Sequence, residues 1–302
     1  MDYGRLISKA FFITLRRRFL WPLGILAGLS GGVSAPNQGS FGDGAEEWVS
    51  THLALVLALG ALLVLLAIAL LVISVMARGG LISSVIGIEK EEPVSFGKGF
   101  RAGYAVFWRL VAIGLLFALV VLTPLIVLIA MVAGLIITKH YWAAAGTGIP
   151  FFLIWLAITI YAGVVAVFAA RFVVDRGAGA FESIGRAHGL IMRCKGETTL
   201  VWLLSVALGI GTGTAYLLVF LLFFLPLIFI TPSLYHSSGL ATAVIFGAIF
   251  GLIALAVILL ITGLLTVFQS AYWTLAYLEL AKKEAPANVP LLQEPQMGTS
   301  AG

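Results

Sequence analysis

Four histidines and thirteen acidic residues are the side chains of this 302-residue chain from which a metal site or an acid–base pair would be built. His52, His140 and His236 fall at the ends of three different apolar runs, away from the basic segments, with Asp43, Glu46 and Glu47 in the loop before His52. Imidazole and carboxylate together suit zinc or another transition metal. The three histidines do not occupy matched positions, however, and none lies in an HxH or HxxxH pair. They stand as weak metal candidates, and the expectation is that replacing all three changes neither folding nor metal content.

No other arrangement carries chemistry. There is no HExxH pair, no GxSxG elbow and no GxxxxGK[ST] phosphate loop. Gly177–Gly185, GAGAFESIG, is glycine-rich, but it follows an apolar run and has the wrong spacing for a nucleotide, so it reads as a turn. The single cysteine, Cys194, allows no internal disulfide. Glu182 and Arg186 stand one helical turn apart and share a face with Arg193, which reads as a solvated surface able to meet a partner or anionic lipid headgroups. No catalytic residue and no cofactor is expected, so the chain is read as a non-enzyme.

The elements around these residues are those of a membrane protein. Hydrophobic residues make up 61% of the chain, charged residues 10%, and mean hydropathy is +1.12. A soluble domain has about 45–50% apolar and about 25% charged residues. The net charge of +5 could suggest nucleic acid, but the placement of the charges excludes it. Seventeen of the 18 Lys and Arg residues fall in four segments: the N-terminal arm, residues 78–109, residues 171–195, and Lys282–Lys283; only Lys139 is left over. Such a partition puts both termini and the basic elbows in the cytoplasm.

The expected architecture is all-α: six transmembrane helices arranged as three repeated hairpins, joined by amphipathic cytoplasmic elbow helices. A basic arm occupies residues 1–18, with Arg5, Lys9 and Arg16 on one helical face. The spans lie at about 19–35, 53–77, 110–138, 149–170, 200–231 and 241–266, the last with an interfacial extension to 282. Residues 283–302 form a disordered tail. The first run imitates a signal peptide at Val33-Ser34-Ala35, but Pro36 would follow the cut, so a retained anchor is favoured. Pro226 is expected to kink the fifth helix or mark its outer end. The final run, Leu240 to Leu278, is too long for the membrane, and Gln269, Tyr272, Trp273 and Tyr277 are placed at the interface.

Small residues recur every four positions: Gly24, Gly28 and Gly32 in the first span, Gly209 and Gly213 in the fifth, Gly247 and Gly251 in the sixth. Close packing of helix backbones is the expected reason for all of them. The elbows are self-similar. Arg101-Ala102 recurs as Arg186-Ala187, and Gly99/Gly103 recurs as Gly185/Gly189 with the register moved by one residue. Ile88–Pro93 and Leu280–Pro286 close two of the hairpins alike. Ser95 is the expected N-cap before the third span.

The stretch Ala169–Leu204 resembles the six-span membrane domain found beside some bacterial glycerophosphodiester phosphodiesterases and in free-standing relatives. There an acidic residue, a glycine turn, a short helix with a basic residue and a new span follow one another, an order matched by Asp175, Gly177, Ala180, Arg186 and Trp202. The catalytic domain is absent. Asp175 stands in place of the more usual Glu, and Ala187 where a Ser often follows. The resemblance implies fold, topology and a bacterial cytoplasmic membrane, and no activity. A scaffold or complex subunit is therefore the expected function, with a transporter or channel for a lipid or small neutral solute as the alternative.

Overall fold

The computed structural model describes residues 2–28 and 51–284, and every element among them is helical. In chain order these are α1 (Tyr3–Arg16), α2 (Leu20–Gly28), α3 (Leu53–Glu89), α4 (Phe96–Ile137), α5 (Tyr141–Arg176), α6 (Ala180–Arg193), α7 (Lys195–Ser238) and α8 (Leu240–Glu284). Five of them, α3, α4, α5, α7 and α8, are long and apolar enough to cross a membrane. The expected first span is represented by α2 alone. Gly32, the acidic loop, the Val33–Ala35 triplet and residues 285–302 lie outside the described residues, while Lys283 and Glu284, expected in the disordered tail, continue α8.

The long helices overrun the spans expected for them. α4, at 42 residues, continues without a break from the second elbow into the third span, and α3 continues past Ala77 to Glu89. A helix needs about 20 residues to cross about 30 Å of hydrocarbon, at about 1.5 Å per residue. At 45 residues α8 is more than twice that length. Pro226 does not end α7: Pro226 and Pro232 both lie inside the helix, which runs to Ser238. Each proline removes one intrahelical hydrogen bond, a loss that long apolar helices tolerate when flanking turns re-satisfy the freed carbonyl.

Two of the three elbows are separate helices of 14 residues, α1 and α6. Both are strongly amphipathic. α1 buries Leu6, Ala10 and Ile13, while α6 buries Ala187, Leu190 and Ile191. Asp2 caps α1 by accepting from the Arg5 amide at 3.0 Å, and the Trp21 indole donates to the Thr14 carbonyl at 2.8 Å where α1 gives way to α2. Ser95 is the N-cap of α4, as its sequence indicates. Gly177 closes α5 in the left-handed conformation (φ 62°), where a side chain would be strained, and α6 begins three residues later.

Burial is concentrated at one end of the bundle, the end where the elbows gather. One core cluster joins Leu6 and Ile13 of α1, Leu20 and Leu23 of α2, Leu81 and Val85 of α3 and Val267 to Ala276 of α8. A second joins Phe168, Phe172 and Val173 of α5, Leu190 of α6 and Tyr277 and Leu280 of α8. The most apolar windows of the long helices bury little: none of the window in α3 or α7, 6% in α4 and α8, 17% in α5. Away from the elbow end the hairpins hold together pairwise, with the Trp155 indole donating to Val121 across α4 and α5 at 2.9 Å, and Phe223 meeting Phe250 across α7 and α8.

α8 is the hub: it packs against α1, α2, α3, α5, α6 and α7. Two of its aromatics, expected at the membrane interface, are enclosed within the bundle. Tyr272 is 1% exposed and Tyr277 is fully buried. Burial is possible because both hydroxyls find acceptors, the Val201 carbonyl at 2.8 Å and Asp175 at 3.1 Å.

Candidate functional site

The polar side chains of the elbow end form a chain of tethers between elements far apart in sequence. Lys9 on α1 pairs with Glu89 at the end of α3 at 2.8 Å. Lys90, the next residue, pairs with Asp175 at the end of α5 at 3.1 Å. Asp175 accepts from Tyr277 of α8 through its other oxygen, and Lys283 of α8 pairs with Glu197 at the start of α7. Arg109 of α4 donates to the Gly177 carbonyl at 2.7 Å, holding the turn before α6 against α4. Ser74 and Arg78 of α3 both donate to the Ala27 carbonyl of α2.

Asp175 is the centre of this network. Its side chain is 15% exposed, and it stands where α5 ends, so a lysine and a buried tyrosine converge on its two oxygens. Beside it Phe172 packs edge-on against Tyr277, with the Arg176 guanidinium over the Phe172 ring at 5.2 Å. Arg171 is buried one helical turn earlier and donates to the Val167 carbonyl. The arrangement locks α3, α5 and α8 together.

The other elbow residues behave differently. Glu182 and Arg186 form the expected i,i+4 ion pair on α6, with side chains 53% and 43% exposed. Arg193, in the last turn of α6, is exposed and has interactions of its own. His188 belongs to a contact that the sequence did not signal: its Nδ1 and the Tyr161 hydroxyl lie 2.5 Å apart, tying α6 to α5. His52 and His140 stand at the N-caps of α3 and α5, and neither side chain caps its helix. His236 is in the last turns of α7. Among the described residues no group of three or more His, Cys, Asp or Glu side chains could hold a metal ion.

Glycine packing differs most from expectation. Gly24 and Gly28 are close-packing positions: a Cβ on Gly24 would collide with the Gly263 carbonyl, and one on Gly28 would meet Thr262 at 2.6 Å. Gly209, Gly213, Gly247 and Gly251 are not, because a Cβ there would meet nothing within 4 Å among the described residues. α7 and α8 meet through larger side chains and leave these glycine faces open. The close approach is made instead by Gly79 and Gly80 of α3 against Gly99 and Gly103 of α4, where a Cβ on Gly80 would lie 2.7 Å from the Gly99 oxygen. The GxxxG spacing of Gly99 and Gly103 was the available signal. At its sequence echo, Gly185 and Gly189, a Cβ would meet nothing within 4 Å among the described residues, so the self-similarity of the elbows does not extend to their contacts.

Comparison with known proteins adds a family and no activity. No curated protein and no solved structure matches the chain. Nothing in these comparisons links it to the membrane domains of glycerophosphodiester phosphodiesterases. One family model covers residues 7–285, from the first helix to the end of α8. The chain belongs to that family, DUF7544, a family of unknown function.

Proposed function

We propose that this protein is a non-enzymatic, multi-pass subunit or scaffold of a bacterial cytoplasmic-membrane complex, with both termini and the elbow end in the cytoplasm. The observation that carries the reading is the pair of open glycine faces on α7 and α8, flanked by exposed Ile210, Leu217, Val244 and Leu255. Small residues let a second helix approach closely, and within this chain no described residue uses these faces. The tethered elbow end supplies the complementary half of the reading, a rigid base from which the apolar hairpins project. The 17-to-1 division of basic residues supports the orientation.

The test is the mass of the protein assembly extracted in mild detergent, for the parent and for a Gly209→Leu, Gly247→Leu double variant. The expected result is an assembly larger than one chain that shrinks in the variant, while the thermal midpoint of the chain itself is retained. An unchanged mass, or a parent that sediments as one chain in detergent and lipid alike, would sink the reading and leave those faces to lipid.

A further inference from the structure

We infer a second site, independent of the partner reading of α7 and α8: an anionic phospholipid of the leaflet at the elbow end binds in the groove between α3 and α4. The groove is shallow and open, about 500 Å³ in volume, and is lined by Met76, Phe96, Gly97, Phe100, Arg101 and Tyr104. Five of these residues come from the first three turns of α4, at spacings of one, three and four, which put them on one helical face. The Gly79/Gly80 contact with Gly99/Gly103 draws the two backbones together and sets that face beside Met76.

Depth and charge identify the occupant. Met76 and Ala77 end the uncharged run of α3, and Arg78 follows, so the groove lies where hydrocarbon gives way to headgroups. Its lining is aromatic and aliphatic except for Arg101. The Arg101 side chain is exposed and makes no hydrogen bond or ion pair among the described residues, whereas Lys9, Lys90, Arg109 and Lys283 are all engaged. Phe96 is 39% exposed and Tyr104 69%. An acyl chain laid on Met76 and Tyr104, the lining residues nearest the span, leaves its phosphate at Arg101, whose planar guanidinium matches phosphate geometry with two parallel hydrogen bonds, while Phe96 and Phe100 flank the headgroup.

The experiment is native mass spectrometry of the detergent-purified chain, titrated with phosphatidylglycerol or with phosphatidylcholine of the same acyl length. The parent retains phosphatidylglycerol in preference to phosphatidylcholine. Arg101→Gln, a surface change, weakens phosphatidylglycerol retention about fivefold, the effect of one basic residue near a headgroup, and Arg186→Gln on the exposed face of α6 leaves it unchanged. Gly97→Phe, whose Cβ enters open space, fills the groove and lowers retention of both lipids. Equal retention by parent and Arg101→Gln overturns the site. So does a benzophenone side chain at position 104 that cross-links to protein in native membranes instead of to lipid, since the groove would then seat a partner helix. Neither result depends on the mass of the assembly, so this site and the partner reading fail separately.

Discussion

Replacing Gly80 by alanine adds one methyl group to α3 at a point of the α3–α4 seam where the clash is with the backbone of α4. That carbon would lie 2.7 Å from the Gly99 oxygen and 2.9 Å from the Gly99 carbonyl carbon, where ordinary van der Waals contact begins at 3.4 Å. Neither atom can rotate away, so the helices must part by about 0.7 Å. A gap of that size forfeits about a quarter to a half of the dispersion attraction between the atoms along the seam. Overpacking costs typically about 1–3 kcal/mol, and the higher helix propensity of alanine returns about 1 kcal/mol. The net expectation is a loss of up to about 2 kcal/mol, read as a lowered thermal midpoint in detergent. Gly209→Ala and Gly247→Ala meet no neighbour among the described residues and gain the propensity alone, so both hold or raise the midpoint. A Gly80→Ala protein as stable as its parent, or a Gly209→Ala protein as damaged as Gly80→Ala, would refute the assignment of close packing to α3 and α4.

Two further outcomes follow from the polar network and the charge division. Asp175→Ala leaves the buried Tyr277 hydroxyl without its acceptor and should cost about 1–3 kcal/mol, whereas Asp175→Asn keeps an acceptor and costs less; identical melting of the two variants would remove Asp175 from the centre of the network. A cysteine placed at exposed Ser95 should resist a membrane-impermeant reagent in intact cells while one at Thr147, beyond the α4–α5 turn, reacts; the reverse pattern would invert the proposed orientation.

The sequence by itself determined the class, the positions of the apolar runs and the gathering of basic elbows at one end. Hydropathy and charge are sums along the chain, and they survive without knowledge of which helix meets which. Local geometry was legible for the same reason: Ser95 as a cap, Gly177 as a turn and the Glu182–Arg186 pair each depend on residues a few positions apart. Only the tertiary structure decided which glycines are packed. Gly99/Gly103 and Gly209/Gly213 have the same spacing, and they differ because one face meets α3 and the other meets nothing among the described residues. Tyr277 and Asp175 are 102 residues apart, and nothing in the run around either names the other. An amphipathic aromatic at a helix end suits the membrane interface and a buried core equally well until an acceptor is brought to its hydroxyl. For Tyr272 and Tyr277 that acceptor comes from another helix, so their burial is a property of the assembled bundle.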